Sequence, residues 1–301
     1  MLFLFFAICY LLIVIYYLLF KKVFLDKLDK LDNLYKLDMT NYALILGASS
    51  GFGKAISLAL AKDGVNILGV HLDRATTMPD VEKIILDIKN YGVEAHYFNV
   101  NAADPNKRND VLNSVREIFK TKTNPTIKVL VHSLAFGTLR RYFDEEPSNQ
   151  INQKQIEMTL DVMANSLVYW TQDVMSRKLM TSGGKIYALT STGGSRVIEF
   201  YGAVSAAKAC LESHIRQIAM ELGKKGISAN AILAGVTETP ALKKIPNSQA
   251  IIQSALNRTG QGRLTQPTDI ANFIVDNYKR ESHWMTGSVI HVDGGESVTG
   301  F

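Results

Sequence analysis

Seven short apolar runs recur along the chain, separated by longer amphipathic stretches, and this alternation limits the fold more than any other feature. The runs are YALILG from 42, VNILGV from 65, EAHYFNV from 94, IKVLVH from 127, KIYALTS from 185, ISANAILA from 227 and SVIHV from 288. Each is nearly continuous in apolar residues, as strands covered on both faces require. Strands alternating with helices predict an α/β fold, a doubly wound seven-stranded parallel sheet. No repeat or low-complexity linker interrupts residues 39–301, which read as one large domain.

Composition removes other classes. The 301 residues are 47% apolar and 20% charged, which excludes a disordered tail or a collagen-like fibre. The net charge is +5, and the five Lys and four Asp of residues 1–38 account for +1 of it. That charge is too diffuse for a nucleic-acid footprint. Cys9 and Cys210 are the only cysteines, so neither a disulfide framework nor a cysteine zinc site is available. No spacing marks a metal site.

The first 20 residues, MLFLFFAICYLLIVIYYLLF, carry no charge and precede Lys21 and Lys22. Such a run is long enough to cross a bilayer core. It lacks the basic start and small-residue cleavage site of a signal peptide. Residues 1–22 therefore read as a membrane anchor, with the lysines placing the following domain on the cytoplasmic side. Residues 23–38 read as a spacer, because leucines three apart drift around a helix and form no straight stripe. The alternative is translation from Met39, which would give a soluble cytoplasmic protein.

The first apolar run leads into Gly47-Ala48-Ser49-Ser50-Gly51-Phe52-Gly53 and then an amphipathic stretch, KAISLALAKDG. A glycine turn between a strand and a helix is a phosphate-binding arrangement. Gly47 permits the tight turn, and Gly51 and Gly53 allow close backbone approach. The helix N-terminus supplies N–H groups and a positive dipole to a pyrophosphate.

The spacing, G-x3-G-x-G, resembles that of the short-chain dehydrogenase/reductase family, and the resemblance covers 41–296. Asn99-Val100 resembles the family's adenine-contacting pair. Gly262-Arg263 with Pro267-Thr268-Asp269-Ile270-Ala271 resembles its late helix start. Val292-Asp293-Gly294-Gly295 resembles its C-terminal signature. The resemblance implies a Rossmann-type domain whose turn, including Ser49, Ser50 and Phe52, holds a nicotinamide dinucleotide. At the end of the second strand, Val70-His71-Leu72-Asp73-Arg74 gives conflicting signals. Asp73 suits a ribose 2′-hydroxyl and Arg74 a 2′-phosphate. The two also fit an exposed turn without a ligand.

The family's catalytic pattern is Tyr-x3-Lys, with a serine 13 residues before the tyrosine. Lys208 fits the lysine and Ser191 the serine, but Val204 stands four before Lys208 and Tyr201 seven before it. On a helix, offsets of four and seven differ in rotation by about 60°, so both face the lysine's side, and the longer one moves a hydroxyl about 4–5 Å along the axis. A more distant donor suits enoyl-thioester reduction. There the hydride lands on C3, away from the oxygen that needs stabilising.

Tyr-x6-Lys is similar to the enoyl-acyl-carrier-protein reductase branch. LVHSLAFG at 130–137 resembles that branch's version of the usual Asn-Asn-Ala-Gly segment, placing Ser133 and Ala135 beside the cofactor. Met163 stands where the family's catalytic asparagine would fall. Gly235, Thr237 and Thr239 resemble the segment that touches nicotinamide and phosphate, and 239–243 the start of a substrate lid. The ordinary glycine motif, and Ser191 where many members carry a second tyrosine, resemble the NADPH-using subtype. The expectation therefore leans to NADP(H) over NAD(H).

The implied reaction is NAD(P)H-dependent reduction of a trans-2-enoyl thioester of acyl-carrier protein or coenzyme A. Tyr201 would be the donor, Lys208 would hold the ribose and lower the Tyr201 pKa, and Ser191 would orient substrate or tyrosine. Reduction of a 3-oxoacyl thioester or other carbonyl, and a catalytically silent dinucleotide-binding scaffold, are the alternatives. Lys243, Lys244 and Arg258 would meet a carrier phosphate or form a solvated basic face. His132 reads as a satisfied strand-end residue. The family's habit implies a homodimer or homotetramer through the helices near 152–179 and 201–224.

Overall fold

The structure, a computed structural model, describes residues 16–25, 27, 39–280 and 282–299. It divides into two units, Met1–Thr40 with Lys122–Asn124, and Asn41–Thr121 with Pro125–Phe301. In the first unit residues 16–25 are helical, and the side chains from Tyr16 to Phe20 are exposed. Among the described residues no helix is long and apolar enough to cross a membrane. Most of the expected anchor and spacer, residues 1–15, 26 and 28–38, lies outside the described residues.

The second unit contains all seven expected strands: β1 (Asn41–Leu46), β2 (Asn66–His71), β3 (Ala95–Asn99), β4 (Thr126–His132), β5 (Lys185–Thr190), β6 (Ser228–Ala234) and β7 (Val289–Val292). They form one sheet in the order β3-β2-β1-β4-β5-β6-β7, and every neighbouring pair is parallel. The helices between them are α1 (Gly51–Lys62), α2 (Met78–Lys89), α3 (Pro105–Phe119), α4 (Gln153–Leu160), α5 (Ser166–Ser176), α6 (Gly202–Leu222), α7 (Ser248–Arg258) and α8 (Pro267–Tyr278).

Side-chain alternation along β1 builds both cores. Tyr42, Leu44 and Leu46 point into one, packed with Val115 of α3, Trp170 of α5 and Leu211 and Ile215 of α6. Ala43 and Ile45 point into the other, against Ile56 and Leu60 of α1, Ile84 and Ile88 of α2, and Ile270 and Ile274 of α8. Each such side chain contributes roughly 1.5–3 kcal/mol by leaving water. The only buried tryptophan among the described residues, Trp170, satisfies its indole N–H on the Ala102 carbonyl at 2.8 Å.

Strand order reverses at β1, which pairs with β2 on one side and β4 on the other. A crevice outside the carboxyl ends of strands at such a switch point is where this architecture binds ligands. A π-helical turn, Asp161–Asn165, joins α4 to α5. The expected late helix begins at Pro267, with the Asp269 side chain capping the Gln266 N–H at 2.8 Å and clasping Arg263.

Candidate active site

The turn after β1 can be built only with glycine at two places. Gly47 has φ 90°, and a Cβ there would stand 2.6 Å from the Ser133 carbonyl oxygen. A Cβ on Gly53 would stand 1.9 Å from the Gly47 carbonyl oxygen. The turn is tied to the flanking strands, with Gly47 N donating to the Val70 carbonyl at 2.8 Å and Ser133 N to Leu46 at 2.9 Å. Ser50 is the N-cap residue of α1, with extended backbone and no side-chain cap bond. The helix N-terminal N–H groups therefore stay available to an anion.

The end of β2 faces this turn. The Asp73 carboxylate accepts from His71 Nδ1 at 2.9 Å and from Thr77 Oγ1 at 2.9 Å. Because an ionised carboxylate can only accept, Nδ1 is the protonated ring nitrogen of His71. Burial alone would raise the Asp73 pKa, but hydrogen bonds from Ser49, Thr77 and His71 outweigh it and hold the carboxyl below its usual value. Ser49 belongs to the glycine turn, so an anionic oxygen is fixed beside it. Arg74 is exposed and forms no ion pair with another described residue. The Asn99 amide is engaged with the Asp73 backbone, at 2.9 and 3.0 Å, and Val100 N donates to His71 at 2.7 Å. These residues brace the acid that the turn faces. A glycine cradle, a free helix N-terminus and a fixed acid fit a dinucleotide.

At the other end, Ser191, Tyr201 and Lys208 line one cavity of about 520 Å³. Phe52, Ser133, Ala135, Gly235, Thr237 and Thr239 share its wall with the expected catalytic residues, whereas the rest of the glycine turn and the residues from Asp73 to Val100 do not line it. Tyr201 is the N-cap of α6, with φ −94° and ψ 4°. It therefore lies just outside the helix, and the helical phase argument does not govern its side chain. Its ring lies on Gly193, where a Cβ would stand 2.6 Å from it. Burial raises the Tyr201 pKa and a hydrogen bond with Ser191 pulls it down.

Lys208 is buried and its Nζ donates to the Leu189 carbonyl at 2.7 Å. Burial pushes its pKa down to about 8, with Glu212 acting the other way. In this structure the Lys208 ammonium is turned to Leu189, and the influence that lowers the Tyr201 pKa is the hydrogen bond with Ser191. Glu212, one helical turn beyond Lys208, accepts from Thr190 Oγ1 at 2.6 Å and so ties the end of β5 to α6.

The floor below the donor is apolar. A Cβ at Gly137 would stand 2.8 Å from Val204 Cγ2 and 2.9 Å from Met163 Sδ, so both side chains pack on this glycine. Met163 and Val204 are buried, at the places where the carbonyl-reducing pattern would put an asparagine and a tyrosine. His132 is buried, paired through Nε2 with Ser166 Oγ at 2.9 Å. Burial, helped by the Lys208 charge, pushes its pKa down to about 3 and keeps it neutral.

Residues beyond the expected set complete the rim. Glu296 is buried, accepts from Val236 N at 2.7 Å and pairs with Arg258 of α7 at 3.2 Å. Arg258, expected at a carrier phosphate or a solvated face, is thus engaged inside the fold. Lys244 lines the cavity mouth. Nothing local in the sequence marks Glu296 beyond its place directly after Gly294-Gly295.

A family model described as enoyl-(acyl carrier protein) reductase matches residues 47–297. The chain is 34% identical over 125 residues to the NADH enoyl-acyl-carrier-protein reductase of Bacillus cereus, a match that covers 42% of this chain and 49% of that protein. It is 28% identical over 262 residues to a 3-oxoacyl-acyl-carrier-protein reductase of Staphylococcus aureus, covering 86% of this chain and 99% of the relative. Among solved structures, the Bacillus cereus enoyl-acyl-carrier-protein reductase with NADP+ and indole naphthyridinone has a TM-score of 0.76 at 22% identity. That match covers 87% of this chain and 98% of the other, and it shows the shared fold.

Proposed function

The chain belongs to the enoyl-(acyl carrier protein) reductase family of short-chain dehydrogenases/reductases and is an NAD(P)H-dependent oxidoreductase; on that premise we propose that it reduces the C2=C3 bond of trans-2-enoyl thioesters carried by acyl-carrier protein or coenzyme A. The observation that carries this reading is the pairing of Tyr201 at the α6 N-cap with an apolar floor of Val204 and Met163. A carbonyl reductase places its polar acid four residues before the lysine. Here that position is filled by a packed valine.

The glycine turn and the cavity residues would hold a nicotinamide dinucleotide, which when bound would supply the hydride for C3. Tyr201 donates a hydrogen bond to the thioester oxygen as it gains enolate charge, and its raised pKa keeps it protonated until then. Ser191 orients the Tyr201 hydroxyl. Lys208 lines the same cavity, and its ammonium would hold the nicotinamide ribose there. Val204, Met163 and Leu139 give the acyl chain a dry wall. The enolate then takes a proton at C2 from solvent, which restores the thioester carbonyl.

For the cofactor, the fixed Asp73 anion beside Ser49 supports NAD(H), because it accepts a ribose 2′-hydroxyl and repels a 2′-phosphate. This reverses the lean to NADP(H) that Arg74 and the subtype resemblance gave. The second reading, 3-oxoacyl reduction, is favoured by the Ser191–Tyr201 hydrogen bond and by the nearly full-length similarity to the Staphylococcus aureus relative. Purified protein should oxidise NADH at 340 nm with crotonyl-CoA and leave acetoacetyl-CoA untouched. Turnover of the ketone alone would select the second reading. Dinucleotide binding without any turnover would select a silent scaffold.

The uncharged run of residues 1–20 and the exposed apolar side chains from Tyr16 to Phe20 support attachment to a membrane. Deletion of residues 1–38 would then move the protein from the membrane fraction to the supernatant. Pairing of copies through α4 to α6 is part of the same reading, checked by mass photometry of the purified protein.

A further inference from the structure

Phe200 stands in the left-handed region, φ 64°, one residue before the donor Tyr201. An aromatic residue keeps that conformation only where its surroundings over-determine it. Here the connection between β4 and α4 supplies contacts on both sides of it, beside the turn bond from Tyr201 N to the Ile198 carbonyl at 3.1 Å. Arg141 in that connection forms an ion pair with Glu199. Its guanidinium also lies over the Phe200 ring, 5.0 Å from the centroid. The next side chain, Tyr142, packs on Gly202, where a Cβ would come within 2.8 Å of the ring. Arg141 is itself anchored, its carbonyl accepting from Ile151 N at 2.9 Å. Two consecutive side chains therefore contact the chain on either side of Tyr201, Arg141 through the Glu199 and Phe200 side chains and Tyr142 at Gly202.

Tyr201 precedes α6 and makes no side-chain capping bond to it, so the chain entering the helix, rather than the helix itself, sets its backbone. We propose that Arg141 is a positioning residue for the reaction: it holds Phe200 in the left-handed conformation and so places the Tyr201 hydroxyl in the cavity. The inference rests on the reading of Tyr201 as donor. Leu139 of the same connection lines the cavity, so the wall that meets substrate and the clamp on the donor are one continuous segment. Arginine suits the task better than lysine. Its planar group stacks on a ring while its N–H groups reach a carboxylate, whereas an ammonium keeps only the charge pairing.

The test is a double-mutant cycle on the full-length protein, with kcat for enoyl reduction, KM and the NADH dissociation constant as readouts. Arg141→Ala should lower kcat about tenfold, the scale of a small misplacement of a reacting group, and leave NADH affinity unchanged. Arg141→Lys should recover only part of the loss. Glycine adopts positive φ without strain, so on a Phe200→Gly background, whatever its own kcat, adding Arg141→Ala should cost less than about twofold. The same tenfold loss on that background would overturn the proposal, as would an unchanged kcat in Arg141→Ala alone. Loss of NADH binding in Arg141→Ala would place the effect on folding and overturn it too. Failure of the Tyr201 assignment shows separately, as an undiminished kcat in Tyr201→Phe.

Discussion

The turn at 47–53 and the segment at 191–201 both lie beyond the carboxyl ends of strands in one sheet, but they are held in place by different means. The first is fixed by backbone sterics: Gly53 meets the Gly47 carbonyl six residues earlier, and Gly47 meets the Ser133 backbone at the end of the neighbouring strand. The second is fixed by side chains from distant parts of the chain, with Glu212 holding Thr190 and Arg141 holding Glu199 and Phe200. Backbone constraint specifies residue types and spacing, so it can be read from sequence. Side-chain clamping specifies only that some partner exists.

Gly53 is where the glycine turn tolerates change least. Gly53→Ala puts a methyl group 1.9 Å from a backbone oxygen, which must displace the turn, at a cost on the order of 3 kcal/mol or more. NADH binding should vanish and the melting temperature should fall by several degrees. A normal melt with intact binding would show that the turn is adjustable and that the contrast between the two ends is false. Tyr201→Phe should do the opposite, lowering turnover about 10²–10⁴-fold while NADH affinity and melting temperature stay unchanged.

A pH profile sharpens the catalytic side. Burial depresses the Lys208 pKa to about 8. The folded protein therefore carries the ammonium below that pH and loses it above. If the charge holds the cofactor ribose, kcat/KM should fall as pH rises through about 8, and Lys208→Arg should abolish that limb. A flat profile to pH 9.5 would remove Lys208 from the mechanism.

Asp73 gives the smallest effect and sharpens the nucleotide side. Asp73→Asn keeps a side chain that can accept from Thr77 but removes the charge. It should narrow the preference for NADH over NADPH about tenfold, one charge interaction at partly screened range, measured as the ratio of kcat/KM values. An unchanged ratio would return the choice to Arg74.

The seven strands, the glycine turn and the convergence of Ser191, Tyr201 and Lys208 were all legible in the sequence. Continuous apolar runs and glycine spacing are local signals with local causes. Three features were not. Tyr201 was placed by helical phase, but the helix begins one residue later, and the residue before it meets Arg141 of the β4–α4 connection. Lys208 was expected to act on Tyr201, yet its nearest acceptor is a strand carbonyl that sequence does not reveal. Glu296 reaches Val236 across 60 residues and Arg258 across 38. Contacts at such separation leave no pattern in a single chain.

The most direct measurement follows where the hydride goes. Purified protein would be given NADH deuterated at the transferable position of nicotinamide, with a trans-2-enoyl thioester and a 3-oxoacyl thioester in equal amounts. The account predicts a saturated acyl product labelled once, at C3, with the oxoacyl substrate recovered unlabelled. A labelled 3-hydroxyacyl product with the enoyl thioester untouched would contradict it, and would mean that a tyrosine seven residues before the lysine serves a ketone.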